Sequence, residues 1–317
     1  MLGRPRPIPI YRLAMSRDVA SVLLVPFAAA IACAATSGHY GVSWDEKVQR
    51  DYGVLSWQYF QSLGEDTRCN RYLNLRYYTP AYEVLLHVAS LHAAAWQGGP
   101  PAYATPEAAE YAVRHLINSM VGCISLLAVA LFSRQMRSGI PTADTRAAVG
   151  LPRSFLAPLL LVGMPRYYGH FFANTKDIPF AAAFAWCMVA VLGTLQAIKP
   201  HASTRRNQKV AAVLRLPIAR GVGTAALIGF TVSLRSAGLL ILPLGAVGLC
   251  GTLYNAHTEH MRHLQYPSLS HAVTWLLLCV GAFWVALVAL WPAAHVEPFW
   301  HPVRTVLEST HFSTVVR

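Results

Sequence analysis

Two stretches of the chain place acids, bases, an amide and an imidazole directly beside apolar runs. Asp45 and Glu46 follow the first apolar run, and residues 165–180 read PRYYGHFFANTKDIPF. Ionisable side chains close to a membrane are costly, so their positions are informative about function. Arg235 stands between two apolar runs without loop residues around it. Such an arginine needs an anion, and a phosphate or a carboxylate would serve.

Each of these residues also has a purely structural interpretation. Asp45 and Glu46 open an amphipathic stretch, so they could favour a helix N-terminus through its dipole. Asp177 could cap the helix that continues through Pro179, and Lys176 could extend along it toward the membrane surface. Arg235 could form a structural ion pair with an acid of the first loop. An interfacial turn does not need the other polar residues of the second stretch, Arg166, His170 and Asn174.

The composition indicates a membrane protein. Of the 317 residues 55% are hydrophobic and only 13% are charged, about half the ~25% of soluble domains, and the mean hydropathy is +0.38. Seven apolar runs are candidates for crossing a bilayer: Val19–Thr36, Leu116–Phe132, Phe155–Met164, Ile178–Ile198, Ile218–Leu234, Ala237–Leu253 and Val273–Trp291. An eighth, Tyr82–Trp96, is short and carries Glu83, so we expect it at the interface or re-entrant. A signal peptide is the rival interpretation of the first run.

Basic residues fix the expected orientation. With seven crossings and the N-terminus inside, 15 of the 26 Lys and Arg residues fall on the cytoplasmic side, and the other side carries eleven bases with eleven acids. This agrees with the positive-inside rule. The net charge of +12 then reflects orientation, and we expect no nucleic-acid partner. We predict one membrane domain over 1–317, with a first outer loop at 38–110 that contains interfacial helices, a second outer loop at 166–178 and a basic cytoplasmic loop at 199–217.

The order of these motifs resembles the integral-membrane GT-C glycosyltransferases, in particular the protein-mannosyltransferase and aminoarabinose-transferase-like group (family 39 and relatives). The resemblance covers roughly residues 15–310. It rests on the Asp-Glu pair after the first span, on YTPAY at 78–82 before a short apolar segment, on RHLINSMVG at 114–122, and most specifically on NTKDIPFA at 174–181.

This resemblance implies an all-α, polytopic GT-C-like helical bundle and a polyprenyl- or dolichyl-phosphate sugar as donor. The sugar would pass to an acceptor on the non-cytoplasmic face, whether glycan, lipid or protein. Asp45 matches the position of the general base, with Glu46 beside it, and Asp177 matches an acid that helps to bind the donor phosphate or a divalent metal ion. The other candidates for phosphate binding are Lys176, Arg235, Arg166, His170 and Asn174, and those for lining the cavity are Arg114, His115 and Asn118.

Two alternatives stay open at this point. The chain could be a membrane transporter, although no internal repeat is evident. It could also be a truncated or non-catalytic relative of the glycosyltransferases, because members of that group usually run well beyond this length. Alanine richness and the lack of an Asn-x-Ser/Thr site favour a bacterial inner membrane over the endoplasmic reticulum.

Overall fold

The computed structural model describes residues 10–95, 106–137, 152–198, 201–202, 212–213, 216–260, 264–265 and 267–308. Most of the predicted basic loop at 199–217 therefore lies outside the described residues. The helices are α1 (Ile10–Thr36), α2 (Glu46–Gln61), α3 (Ala81–Ala95), α4 (Pro106–Arg137), α5 (Arg153–Val162), α6 (Pro165–Ala173), α7 (Asp177–Ile198), α8 (Ile218–Leu234), α9 (Ile241–His260), α10 (Leu269–Val288), α11 (Pro292–Val296) and α12 (His301–Glu308).

Short elements connect these helices. Four 3-10 turns cover Ser37–His39, Arg68–Arg71, Leu75–Tyr77 and Ser236–Leu240. Three strands of two residues each, β1 (His201–Ala202), β2 (Ala212–Val213) and β3 (Leu264–Gln265), form a small sheet. β1 pairs with β2 antiparallel, and β2 pairs with β3 in parallel. Apart from this sheet the described structure is helical, as the sequence predicts.

Five segments are long and apolar enough to cross a membrane: Val19–His39, Glu107–Met136, Asp177–Ile198, Ser236–Thr258 and Leu269–Val288. Two shorter apolar helices, α5 and α8, correspond to the remaining predicted spans. α3, with 15 residues, is not among the five, and its interfacial position stays a prediction. Only 6% of the most apolar 18-residue stretch of α10 is buried inside the protein. An apolar helix exposed in this way is typical of a surface that faces lipid.

Contacts between helices define two ends of the bundle. At the sheet end, next to β1–β3, Ser21 bonds to Ser154 over 2.9 Å, and Thr194 bonds to Thr224 over 2.8 Å. At the α2–α3 end, Thr79 N donates to Ser233 O over 3.0 Å, and Thr79 Oγ1 donates to Leu290 O. Consecutive long elements therefore run in alternating directions between the two ends.

Close helix packing depends on glycine at two places. A Cβ at Gly229 of α8 would overlap the backbone of Phe283 in α10. A Cβ at Gly53 of α2 would lie 2.7 Å from the carbonyl oxygen of Glu83 in α3. The absence of a side chain at Gly53 thus lets α2 rest directly on the first turn of α3, which positions both helices at the α2–α3 end.

Candidate functional site

Asp45 precedes the first residue of α2, but its carboxylate does not cap the helix. It accepts a hydrogen bond from Ser43 Oγ at 3.0 Å and lies 3.7 Å from Lys176 Nζ. The N–H of Ser43 is instead bound by Glu46, one half of a capping box. The helix start is therefore held by Glu46, and Asp45 faces the second loop.

Asn174, and not Asp177, caps the start of α7. Its Oδ1 accepts hydrogen bonds from the backbone N–H groups of Lys176 (3.2 Å) and Asp177 (2.8 Å), as an N-cap residue of α7 does. Its Nδ2 donates to Asp177 Oδ2 and contacts His170 Nδ1, each at 2.9 Å. The capping role that we considered for Asp177 therefore belongs to Asn174.

Arg235 joins the same cluster from the junction between α8 and the following 3-10 turn. Its backbone is extended, with φ −155° and ψ 135°. Its Nη2 lies 2.5 Å from Asp177 Oδ1, and its guanidinium lies 5.6 Å from the ring centre of Tyr78. Arg235 is thereby placed between an acid and an aromatic face.

Together these side chains form a row of alternating charge, which we call the charge ladder: Asp45, Lys176, Asp177 and Arg235. The side chains of Asp45, Lys176 and Arg235 are about one-third exposed, and that of Asp177 is 57% exposed. Charge pairs that remain in contact with water contribute little to stability. An incoming anion can therefore compete for the two bases of the ladder.

A small, partly open cleft lies beside the ladder at the α2–α3 end. It is lined by Gln49, Tyr52, Leu75, Tyr78, Thr79, Tyr82, Glu83, Thr175, Lys176, Leu234 and Arg235. The two bases of the ladder are part of its wall, and three tyrosines supply aromatic surface. Concave sites with aromatic walls and a few polar groups are typical of ligand-binding sites.

Below the ladder lie two buried acid–base pairs. Glu46 Oε1 lies 2.8 Å from His115 Nε2, and Glu83 Oε2 lies 2.6 Å from Arg114 Nη2. All four side chains are at most 6% exposed. Burial raises the pKa of Glu83, while Arg114, Thr175 and Lys176 oppose that shift. These pairs hold α2 and α3 to α4.

The predicted cavity-lining residues require a correction. Arg114, His115 and Asn118 are buried in contacts between helices and are not among the residues that line the cleft. Asn118 Nδ2 donates to Phe171 O at 2.9 Å, and its Oδ1 accepts from Tyr82 at 3.0 Å. The polarity of Asn118 and His115 therefore reflects packing within the bundle, where both have hydrogen-bond partners.

Glu46, Arg166 and His170 also differ from the predicted arrangement. Glu46 is 0% exposed and faces His115, away from Asp45. Arg166 is exposed on α6, and His170 contacts the Asn174 amide. Neither Arg166 nor His170 belongs to the ladder or to the cleft wall.

The surroundings of Asp177 do not suit a divalent cation. One carboxylate oxygen faces Arg235 and the other accepts from the Asn174 amide, so both are already engaged by donors. Among the described residues no group of three or more His, Cys, Asp or Glu side chains is placed to hold a metal ion. Hard cations require several oxygen ligands.

Of the residues that line the cleft, sequence reasoning identified only Lys176 and Arg235, and it missed the polar residues Gln49, Glu83 and Thr175. The face that α2 buries is largely polar or small, and consists of Glu46, Gln49, Tyr52, Gly53, Ser56 and Tyr59. The helical spacing of these residues, together with the position of Glu83 in an apolar segment, could have indicated that α2 buries a polar face against α3.

Comparisons with known proteins add no family to these observations. No protein-family model matches the chain, and neither a curated protein nor a solved structure matches it.

Proposed function

We propose that this protein is a membrane glycosyltransferase that takes a sugar from a polyprenyl- or dolichyl-phosphate donor. The observation that supports it best is the charge ladder, in which Asp45 meets Lys176 and Asp177 meets Arg235 beside one cleft. These residues come from three separate parts of the chain. A carboxylate and two bases at the edge of an apolar bundle match the needs of an anionic lipid donor and a hydroxyl acceptor.

In the proposed reaction Asp45 acts as the general base. Its carboxylate accepts the proton of an acceptor hydroxyl as that oxygen forms a bond to the anomeric carbon. The bond between the anomeric carbon and the phosphate oxygen breaks, and the electron pair leaves with the prenyl phosphate. Lys176 and Arg235 stabilise the charge on that phosphate. To do so they exchange their carboxylate partners, Asp45 and Asp177, for phosphate oxygens, which also frees Asp45 for proton transfer.

The proposed topology has seven crossings with the N-terminus inside. Support comes from the alternating direction of α1, α4, α5–α6, α7, α8, α9 and α10 between the two ends. The ladder and the cleft then lie on the non-cytoplasmic face. We propose a bacterial inner membrane as the location, because the chain is rich in alanine and lacks an Asn-x-Ser/Thr site. α5 and α6 form one pass broken near Gly163, each half being too short to cross alone.

Transfer of labelled sugar tests the proposed reaction. The purified protein in liposomes is given a labelled polyprenyl-phosphate sugar and a mixed set of membrane acceptors. Asp45→Asn keeps the shape of the side chain but removes the base, so we expect the rate to fall at least ~100-fold. Asp66→Asn is the matched control, because Asp66 is paired with Arg68 on the surface of the same loop. Undiminished transfer by Asp45→Asn would remove Asp45 as the base.

Thiol labelling tests the topology. Ser43→Cys at the α2–α3 end should react with a membrane-impermeant maleimide in intact cells. Ser268→Cys, before α10 at the sheet end, should react only after the cells are opened. The reverse pattern, or labelling of both sites from outside, would contradict the proposed orientation.

A further inference from the structure

The floor of the cleft contains polar atoms without partners. Gln49 Nε2, Glu83 Oε1 and Thr175 Oγ1 are buried and make no hydrogen bond of good geometry within the described part of the chain, although the Thr175 hydroxyl is close enough to the Glu83 carboxylate to lower its pKa. Each of the three residues is only 4% exposed, and all three line the cleft. Buried polar groups normally have partners. Three unsatisfied ones in a single cleft therefore indicate a polar ligand.

The types of these atoms restrict that ligand. Gln49 Nε2 is a donor, the carboxylate oxygen of Glu83 is an acceptor, and the Thr175 hydroxyl can be either. A hydroxyl group both donates and accepts, so neighbouring hydroxyls on a sugar ring match this set. The rings of Tyr52, Tyr78 and Tyr82 line the same cleft and can cover the apolar face of a sugar.

The charges around the floor argue against an amino sugar. The carboxylate of Glu83 is already paired with Arg114 at 2.6 Å, and the influence of Lys176 also reaches it. Lys176 is itself paired with Asp45, so the floor carries no uncompensated negative charge. An ammonium group buried there would find no carboxylate without a basic partner, whereas a neutral hydroxyl needs none.

We propose that Gln49, Glu83 and Thr175 form a subsite that binds the hydroxyls of a neutral sugar and selects it over an amino sugar. This inference rests on the proposed function, because it places the sugar next to a phosphate held by Lys176 and Arg235. The subsite would be specificity-determining, while the phosphate contacts are shared by every lipid donor of this class.

Binding measured with the full-length protein in nanodiscs tests the subsite. The probes are polyprenyl phosphate without sugar, polyprenyl phosphate carrying mannose or glucose, and the same lipids with one hydroxyl replaced by an ammonium group. We expect the better neutral sugar lipid to bind at least about fivefold more tightly than the bare phosphate and the amino analogue. One or two hydrogen bonds of ordinary strength account for such a factor.

The variants Thr175→Val and Gln49→Leu keep size and burial but remove the polar atom. Each should lower affinity for the neutral sugar lipid about threefold or more and leave affinity for bare polyprenyl phosphate unchanged. Thr305→Val is the matched control, because Thr305 is also buried with an unpartnered hydroxyl but lies outside the cleft.

The outcomes separate the two proposals. Equal binding of bare and sugar-bearing lipids, or unaltered sugar preference in both cleft variants, overturns the subsite but leaves the proposed function standing. Tighter binding of the amino analogue overturns the preference for a neutral sugar. If neither the bare lipid nor any sugar lipid binds, the proposed function fails and the subsite with it.

Discussion

The α2–α3 end contains two kinds of acid–base pair that differ in their access to water. Glu46–His115 and Glu83–Arg114 are buried, whereas Asp45–Lys176 and Asp177–Arg235 are one-third to one-half exposed. Asp45 and Glu46 are adjacent in sequence, yet they belong to different kinds. Residue type thus says little about whether an acid holds the bundle together or faces a ligand.

The difference has an energetic consequence. A buried pair is hard to separate, because each charge would remain without water or a partner. An exposed pair contributes about 0–1 kcal/mol, and its members can exchange partners at little cost. The two buried pairs therefore fix α2, α3 and α4 relative to one another. The charge ladder above them keeps bases that can bind an anion.

The largest expected effect comes from breaking a buried pair. Arg114→Met should lower the free energy of unfolding by about 3–5 kcal/mol, because Glu83 remains buried without its partner. Thermal unfolding in one detergent measures this. Arg304→Met is the control, since Arg304 pairs with Glu297 on the surface, and it should change little.

Replacing both partners sharpens this test. Glu83→Leu combined with Arg114→Met should recover much of the lost stability, because no buried charge remains. Equal melting temperatures for Arg114→Met and the wild type would mean that the pair does not hold the bundle.

A smaller effect concerns the pH dependence of stability. The pKa of Glu83 is raised by burial, so between its ordinary value of 4.5 and its higher folded value the folded state holds more protons than the unfolded state. Stability should therefore fall as pH rises through that interval. Glu83→Gln should remove this part of the slope of melting temperature against pH, while Glu297→Gln should keep it. Parallel curves for Glu83→Gln and the wild type would contradict the shift.

The smallest effect is expected from the exposed pairs. Asp177→Asn should change the free energy of unfolding by less than about 1 kcal/mol, because Asn174 rather than Asp177 caps α7. Thermal unfolding under the same conditions is the measurement. If the free energy of unfolding falls by more than about 2 kcal/mol, Asp177–Arg235 stabilises the protein as a buried pair does. The contrast between exposed and buried pairs would then be wrong.

Much of the helical architecture could be predicted from the sequence, because long apolar runs have few alternatives to helix in a membrane. The run that became α3 forms a helix of 15 residues, and its interfacial position stays a prediction. The burial of Arg114, His115 and Asn118 was not predicted, because periodicity cannot tell a polar residue that faces a cavity from one that faces another helix. Asp177 looked like a helix cap, and only its neighbours show that Asn174 takes that role.

The sequence by itself determined the apolar helices, the uneven distribution of basic residues and the two polar stretches beside them. These follow from local composition, since each depends on neighbouring residues alone. The tertiary structure alone decided that Lys176 meets Asp45, that Arg235 meets Asp177, and that Gln49 and Thr175 line one cleft. Such partners are tens to more than a hundred residues apart, and their pairing depends on how α2, α3, α7 and α8 pack together, including the close approach that Gly53 permits.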